Sequence, residues 1–386
     1  MKRVVQAVKR SGQVWLSKLL KALGINGVFY NEVMELVSDH QAMPSVERYT
    51  VVLEGGIIQI SDEANAPLLD DHPYYPGGRY EQKTVFLAAL RAPKLNIQSG
   101  MLATSDNKLV CESDLTRERW AKNRLLHGRV KPAKRLSGRY TSIWHHNGMK
   151  YYHWILDCLP RTWVLKHWQG EKPHLIMPGS LPESYRRMLA WCAPDDMPIT
   201  YLDDAYWVQP DYFVFPSFVT NRNSGYLPPE AREYLQARFY TAAQIDEERR
   251  YDTNIYISRS RAAHRRLTNE SEITSLLKEY DFHIYNLEDT TVEEQVRLFY
   301  HARLVVAPHG AGLANLLFAG EKARVLELFG SRLALTWYFF LAESMQQTYF
   351  HLFARDLGNQ GQYDDFSIDP NDLKIALQRL LRHEEA

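Results

Sequence analysis

The 386-residue sequence has three cysteines, no net charge and no uninterrupted apolar run of membrane-spanning length. Cys111, Cys158 and Cys192 are widely spaced and odd in number. They predict neither a disulfide framework nor a CxxC metal pair, and they favour a reducing compartment. The 46 basic and 46 acidic side chains cancel, which excludes an overall field that would attract nucleic acid. A transmembrane helix needs about 20 consecutive apolar residues, so none is predicted.

The sequence also lacks the common short signatures of metal and nucleophile chemistry. It contains no G-x-S-x-G elbow, no Walker A loop, no H-E-x-x-H helix and no Asp-x-Asp pair. We therefore expect no divalent metal held by paired carboxylates. What the chain does contain is 45% hydrophobic residues, enough to build a large core and to predict two domains.

The first 25 residues carry six Lys or Arg side chains, and the first acidic residue is Glu32. Their apolar residues fall on one arc at helical spacing, with most of the basic residues opposite. This pattern predicts a basic amphipathic helix and is not that of a signal peptide. Two interpretations remain open: the helix rests on an anionic membrane surface, or its apolar stripe packs on its own domain.

The order of apolar and polar residues predicts a β-rich stretch followed by alternating strands and helices. Residues 45–115 contain short alternating runs separated by Gly, Asp and Asn. From about residue 141 strands alternate with helices, beginning with a strand over Thr141–His145 and a helix over Tyr151–Trp168, which predicts parallel βαβ units. The basic run between them, residues 117–139, is interpreted as a solvated face or linker, or else as a contact with phosphates or an acidic substrate.

The polar stretch before residue 249 separates two series of alternating elements, and the predicted fold class is α/β. We expect a basic helix over 1–25, an N-terminal domain over 26–248 (β-rich at 45–115, α/β at 140–248), a second domain over 249–345, and a C-terminal strand and helix packing back over 346–386.

The strongest motif is a buried-type strand that runs into His309-Gly310-Ala311-Gly312 and then into an apolar helix. Glycines let the backbone approach a ligand, and a helix N-terminus offers free N–H groups to a phosphate. The dinucleotide fingerprint G-x-G-x-x-G fails at Asn315, so NAD and FAD are not predicted. The motif predicts an anionic ligand at the carboxyl edge of a sheet.

A second motif places five basic or potentially basic side chains within eight residues after a strand end. A helix then opens at Asn269, with Glu272 at the capping-box offset. Such a loop repels itself unless something negative is bound, and Arg can grip phosphate bidentately. The alternative is an exposed basic loop. The five residues are Arg259, Arg261, His264, Arg265 and Arg266.

A third motif is a polar stripe on an aromatic helix, where His153 and Asp157 are i,i+4 neighbours and Arg161 lies four residues further on. A His–Asp pair in a cleft can act as general base toward a hydroxyl. The alternative is an ion-paired stripe that holds the helix. Two aromatic-rich segments, Trp207–Phe218 and Trp337–Phe340, fit either core packing or stacking on sugars.

Taken together, these motifs resemble glycosyltransferase family 61. The resemblance spans about residues 140–330, with the motifs in the family's order. It rests on Tyr152-His153-Trp154-x-x-Asp157-x-x-Pro160-Arg161, on Ile257-Ser258-Arg259 with Arg265-Arg266 and Asn269-Glu270, on His309-Gly310-Ala311-Gly312-Leu313-x-Asn315 and on Val325-Leu326-Glu327.

The resemblance implies a GT-B-like fold of two Rossmann-like domains facing a cleft, here with a β-rich N-terminal extension. It implies inverting transfer from a nucleotide sugar, typically a UDP-sugar, without a metal or other cofactor. As a bacterial member, the chain would act on a glycan or lipid-linked glycan acceptor in capsule or lipopolysaccharide synthesis. It would be cytoplasmic, with the anionic inner face of the membrane as a further partner. The alternatives are a 2-epimerase, a polysaccharide pyruvyl transferase, or a non-catalytic nucleotide-sugar or glycan-binding module.

The resemblance also implies roles for individual residues. Asp157, or else His153, is the expected base, and Arg161 and His145 lie on the acceptor side. Arg259, Arg265 and Arg266 would face the donor diphosphate. The remaining donor-binding residues are Asn269, His309, Gly310, Ala311, Gly312, Leu313, Asn315 and Glu327, the last as a contact with ribose.

Overall fold

A computed structural model describes residues 33–60, 79–106, 108–115, 133–202, 207–221, 224–330, 335–355 and 363–382. The basic helix predicted over residues 1–25 and most of the basic run, residues 117–132, lie outside the described residues. No helix within the described ranges is long and apolar enough to cross a membrane. All three cysteines are buried and free, as their spacing predicts.

The described chain alternates strands and helices, which confirms the mixed α/β class. The strands are β1 Val33–Met34, β2 Val46–Leu53, β3 Gly56–Gln59, β4 Arg79–Gln82, β5 Val85–Arg91, β6 Lys94–Asn96, β7 Leu102–Ala103, β8 Leu109–Val110, β9 Lys134–Thr141, β10 His174–Pro178, β11 Ile199–Leu202, β12 Trp207–Pro216, β13 Thr253–Ile257, β14 Phe282–Tyr285, β15 Ala302–Pro308, β16 Arg324–Phe329 and β17 Thr348–Phe353. The α-helices are α1 Leu36–Asp39, α2 Tyr151–His153, α3 Pro160–Lys166, α4 Glu183–Cys192, α5 Pro229–Ala242, α6 Glu270–Lys278, α7 Val292–Tyr300, α8 Trp337–Ser344 and α9 Pro370–Arg382.

The first sheet is mixed and has ten strands in the order β1-β8-β7-β6-β12-β9-β10-β11, with β5 pairing both β12 and β2. Strand β12 lies at its centre, parallel to β9 and antiparallel to β5 and β6. Strands β3 and β4 form a separate two-stranded sheet.

The end of the basic run differs from the sequence-based expectation. Residues 134–141 form β9, whereas residues 142–145, predicted as a strand, leave the sheet. The backbone of β9 pairs with β12 over six residue pairs, and such long-range pairing overrides local composition. Lys134 and Arg135 are therefore exposed residues of a sheet strand and are not part of a linker.

The second sheet is wholly parallel, with strand order β14-β13-β15-β16-β17. The chain starts in β13, adds β14 on one side, and then returns to add β15, β16 and β17 on the other. The direction of winding therefore reverses between β13 and β15. In open α/β sheets ligands bind at this topological switch point, outside the carboxyl ends of the strands.

One hydrophobic core joins the two sheets. Leu175 and Val214 of the first sheet and Val305 and Val325 of the second belong to the same buried cluster. On the opposite face of the parallel sheet a second cluster includes Tyr256 and apolar residues of α6 and α9. Full burial of a Val or Leu side chain contributes about 1.5–3 kcal/mol, so the shared core holds the two sheets against each other.

The helix predicted over residues 151–168 is interrupted by a π-helical turn, Trp154–Cys158, between α2 and α3. Pro160 has no N–H to donate back to the preceding turn, and the N–H of Leu159 reaches the carbonyl of Trp154, five residues back, at 3.0 Å. Single π turns of this kind are frequent at functional sites. This turn contains Asp157.

Candidate functional site

The basic loop after β13 and the glycine loop after β15 meet at the switch point. A Cβ added to Gly310 would lie 2.1 Å from Nη1 of Arg259 and 2.9 Å from its Cζ. The backbone of Gly310 is extended, with a φ of −175°, which any residue can adopt. The glycine is therefore needed for the close approach of the guanidinium and not for an unusual backbone angle.

Arg259 and Arg265 lie side by side in this loop, and neither forms a salt bridge with a carboxylate of the described residues. The Nε atoms of both are buried and have no hydrogen-bond partner within the described ranges. Burial and the neighbouring Arg265 lower the pKa of Arg259. Two half-buried cations without a counterion form a site for an anion, since a bound phosphate would satisfy both.

Two other predicted donor-binding residues, Arg266 and Asn269, are used instead to fix the C-terminal segment. Arg266 donates from Nε and Nη2 to Asp365 at 2.9 and 2.6 Å. Asn269 begins α6 as predicted, but its side chain does not cap the helix. Its Nδ2 donates to the carbonyl of Ile368 at 2.9 Å. These contacts give both residues a structural role that differs from the predicted contact with a donor.

His309 and Glu327 form a buried chain of hydrogen bonds with Tyr349. The Nδ1 of His309 pairs with Oε1 of Glu327, and the hydroxyl of Tyr349 donates to Oε2 at 2.5 Å. Both carboxylate oxygens are thus occupied, and Glu327 is fully buried. Glu327 therefore orients His309, and the contact with ribose that the resemblance implied stays a prediction.

The apolar helix predicted after Gly310 is a 3-10 helix, Ala311–Phe318. Within it Asn315 accepts the hydroxyl of Tyr151 at 2.6 Å and donates to Gln295 at 2.9 Å. Asn315 is fully buried and holds α2 and α7 together, which is a different role from cradling a nucleotide. Gly312 packs against Leu287, where a Cβ would approach within 2.8 Å.

His153 and Asp157 meet across the π turn as their spacing predicts. Nδ1 of His153 lies 2.5 Å from Oδ2 of Asp157, and the hydroxyl of Thr220 donates to Oδ1 at 2.8 Å. The side chain of Asp157 is 1% exposed, whereas that of His153 is 15% exposed. An ionised carboxylate only accepts hydrogen bonds, so in the neutral imidazole of His153 the proton is on Nδ1 and Nε2 keeps its lone pair.

Arg161, predicted on the acceptor side, is buried behind this pair. Its Nε and Nη2 donate to the carbonyl of Pro216 at 3.0 and 2.7 Å, and Nη1 donates to that of Trp144 at 3.3 Å. The guanidinium also lies 4.5 Å from the centre of the Phe218 ring. Arg161 therefore braces the end of β12 against α3, and its side chain is almost fully buried.

His145 completes a group of three potential metal ligands with His153 and Asp157, whose ligand atoms all lie within 4.8 Å of one another. The N–H of Asn147 donates to Nδ1 of His145 at 3.4 Å, so the proton of a neutral ring is on Nε2. That Nε2 lies 3.7 Å from Oδ2 of Asp157. In this tautomer a metal ion would have to displace the proton on Nε2 in order to bind there.

Burial, with smaller contributions from His153, His146, Arg161 and Lys150, lowers the pKa of His145 well below its usual value. The unfolded ring takes up a proton below about pH 6.5, whereas the folded ring does not, so stability falls as the pH drops below that value. We expect this site to contribute a slope of up to about 1.4 kcal/mol per pH unit.

Urea unfolding of the parent and of His145→Asn between about pH 7.5 and pH 5 measures this contribution. The variant should show the shallower dependence on pH. His283→Asn, which removes an exposed histidine of β14, is the matched control and should keep the parent slope. Equal slopes for parent and His145→Asn would contradict the prediction.

Trp337, at the start of α8, lies between the two parts of the site. The centre of its ring system is 5.9 Å from the His153 ring and 5.8 Å from the His309 ring. Its Nε1 is buried without a partner among the described residues. Tyr338, which follows it, is fully buried beside His309. The sequence left this aromatic segment open to core packing or to stacking on sugars. Tyr338 packs in the core, whereas Trp337 lies at the site.

Sequence reasoning missed Thr220 and left Trp337 between core packing and stacking on sugars. Neither residue lies in a motif, and Thr220 follows β12 at a distance of 63 residues from Asp157. A weak signal was present for Trp337, because a large aromatic side chain that opens a helix after a strand end stands at the carboxyl edge of the sheet.

Comparison with protein-family models finds a glycosyltransferase domain in the chain. The matching model is described as Glycosyltransferase 61 and covers residues 151–326, slightly less than half of the chain. The match identifies a glycosyltransferase 61 domain in this protein and confirms the resemblance. It contains the His153–Asp157 pair, the basic loop and the glycine loop, whereas Trp337 and strands β1 to β9 lie outside it. No curated protein matches the chain.

Proposed function

We propose that the protein is an inverting glycosyltransferase that moves a sugar from a nucleotide sugar, by resemblance a UDP-sugar, to a hydroxyl of a glycan acceptor without a metal ion. One observation carries the proposal: both parts of the site lie beside the same indole ring, that of Trp337. His309 contacts this ring from the side of the unpaired cationic site, and His153 contacts it from the side of the buried His–Asp pair. The family match supports a sugar donor and acceptor in general.

On the donor side, Arg259 and Arg265 take the charge of the leaving diphosphate. Transfer of a sugar leaves a nucleoside diphosphate with a developing negative charge, and preorganised cations at that position lower the barrier. Because Arg259 lies on the backbone of Gly310, the phosphates are drawn to the carboxyl ends of β13 and β15.

On the acceptor side, we assign the base to His153 and the orienting role to Asp157, which reverses the order favoured by the sequence. Asp157 is buried and already accepts hydrogen bonds on both oxygens, from His153 and Thr220. His153 is the more exposed member of the pair, and its Nε2 retains a lone pair. A carboxylate that holds the imidazole by Nδ1–H leaves the opposite nitrogen to take a proton from a hydroxyl.

An inverting outcome requires these two groups to lie on opposite sides of the sugar. If the base and the diphosphate lie on opposite sides of the sugar, the acceptor oxygen attacks the face opposite the leaving group in one displacement. The acceptor proton passes to His153, the bond between the sugar and the diphosphate breaks, and its electron pair stays on the diphosphate. The placement of His153 and His309 about Trp337 supports this arrangement.

We extend the proposal to a GT-B-like arrangement and to bacterial surface polysaccharide synthesis, capsule or lipopolysaccharide, with a glycan or lipid-linked glycan as acceptor. The strand order of the second sheet, which suits nucleotide binding at its switch point, supports the first part. The second part rests on the resemblance alone.

Calorimetric titration of the full chain with UDP tests the donor side. UDP should bind, and uridine, which lacks phosphates, should bind at least about 100-fold more weakly, because charge-assisted hydrogen bonds to phosphate contribute about 1.5–3 kcal/mol each. If UDP gives no binding heat, GDP, dTDP and CDP are titrated in turn. A chain that binds none of these diphosphates does not have the proposed function.

Gly310→Ala is expected to weaken UDP binding about tenfold or more, because the new methyl group displaces the Arg259 guanidinium from its position. Folding should be little affected, since the clashing atoms are the end of a flexible side chain. Gly56→Ala is the matched control, because nothing lies within 4 Å of its Cβ position. Unchanged affinity in Gly310→Ala would place the phosphates elsewhere.

A further inference from the structure

We infer that strand β4, through Tyr80 and Gln82, positions the loop that orients Asp157, so that the β-rich N-terminal part contributes to the catalytic centre. Tyr80 and Gln82 act as positioning residues in this inference, since neither touches the reacting atoms. The inference rests on the proposed function only in taking His153 and Asp157 as the catalytic pair. It concerns residues that precede the family-matched segment 151–326.

Tyr80 is fully buried and holds the loop by its hydroxyl. The N–H of Asn221 donates to this oxygen at 3.0 Å, and the hydroxyl of Ser224 donates at 3.2 Å. Its ring packs 4.6 Å from that of Tyr226 and 5.3 Å from that of Phe340. Burial raises the pKa of Tyr80, which keeps the hydroxyl protonated and neutral.

Gln82, the next inward-facing residue of β4, holds the start of the same loop. Its Nε2 donates to the carbonyl of Val219 at 3.0 Å. In return, Nδ2 of Asn221 donates to the carbonyl of Glu81 at 2.7 Å. Four hydrogen bonds therefore tie residues 80–82 to residues 219, 221 and 224, and the two inward-facing side chains of β4 take part in three of them.

The loop passes this constraint to the catalytic pair through Thr220, which lies between the anchored residues Val219 and Asn221. Its hydroxyl donates to Oδ1 of Asp157 at 2.8 Å. One turn further on, the N–H of Gly225 donates to the carbonyl of Trp337 at 3.1 Å. The same loop thus fixes the carboxylate and the indole that faces His153.

Strand β4 is buried both by the packing of the Tyr80 ring in the core and by the hydrogen bonds to the loop. Within the described residues it pairs only with β3, and Ile57 of β3 is largely exposed. An isolated two-stranded hairpin is marginally stable in water. The core packing of Tyr80 and the hydrogen bonds to the loop therefore hold the hairpin in place, and the same hydrogen bonds couple the position of β4 to that of the loop beside Asp157.

Two measurements on the full chain test this coupling, and neither needs a substrate. Hydrogen exchange of residues 219–227 should be about tenfold faster in Tyr80→Phe, because the variant loses the acceptor of two hydrogen bonds. Long-range ¹⁵N–¹H spectra of histidine-labelled protein report the protonation and hydrogen bonding of each ring nitrogen. The His153 signals, assigned with His153→Gln, should move in Tyr80→Phe and in Thr220→Val.

Thr220→Ser, which unlike Thr220→Val keeps a hydroxyl at this position, should leave the His153 signals at their parent positions. Tyr234→Phe is the matched control: it removes a phenol hydroxyl that donates to the carbonyl of Cys192, and it should leave both measurements unchanged. Such a set of results supports the inference. Parent-like His153 signals in Tyr80→Phe would overturn it, whether or not the loop exchanges faster.

The experiments distinguish a failure of the inference from a failure of the proposed function. If the His153 signals move as expected but no nucleoside diphosphate binds and no sugar is transferred, the coupling is supported and the proposed function is wrong. If His153→Gln abolishes transfer while Tyr80→Phe leaves the loop and His153 as in the parent, the function stands and the coupling falls.

Discussion

His153→Gln is expected to lower kcat for sugar transfer by about 100-fold or more, since a positioned general base contributes roughly 100- to 10,000-fold. Glutamine keeps a polar side chain of similar length but has no nitrogen lone pair with which to take the acceptor proton. The variant should keep its affinity for UDP, because the arginines that hold the phosphates are unchanged. The measurement uses the UDP-sugar that stabilises the parent most, with binding and turnover determined separately.

Asp157→Asn separates the two assignments within the pair. If His153 is the base, both variants lose about 100-fold or more, because asparagine can donate to Nδ1 and so favour the wrong tautomer. If Asp157 were itself the base, His153→Gln would stay within about tenfold of the parent. His167→Gln, which removes an exposed histidine just after α3, is the control and should turn over at the parent rate.

The parts of this site that sequence could predict are those set by local spacing. The i,i+4 spacing of His153 and Asp157 brings the two side chains together even across a π turn, because the backbone remains helical. Two strand–loop–helix units of one parallel sheet must present their loops at the same edge, so the meeting of Arg259 with Gly310 was also predictable.

What sequence could not predict is which polar residues of a motif are satisfied by distant parts of the chain. Hydrogen bonds join Asn315 to Tyr151, Asn269 to Ile368 and Glu327 to Tyr349. No local sequence pattern predicts these partners. A buried polar side chain must find a hydrogen-bond partner, so a partner within the protein removes it from the list of ligand contacts. Arg259 and Arg265 stay on that list because their Nε atoms have no hydrogen-bond partner among the described residues.

The second large effect is expected at this unpaired cationic site. Arg259→Ala and Arg265→Ala should each weaken UDP binding about 10- to 100-fold, and the double variant about 1,000-fold, since each arginine makes charge-assisted hydrogen bonds to phosphate. Calorimetric titration measures these changes. Arg261→Ala removes one charge from the same loop, but that guanidinium pairs with Asp289, so its affinity should stay within about threefold of the parent.

Stability of the ligand-free protein distinguishes a binding role from a structural one. Arg265 lowers the pKa of Arg259, which means that the two cations repel each other in the empty site. Arg265→Ala relieves this repulsion, so its melting temperature without ligand should equal or exceed that of the parent, while the stabilisation by UDP is lost. A variant that melts lower than the parent and still binds UDP normally would show that Arg265 holds the loop together and does not hold the diphosphate.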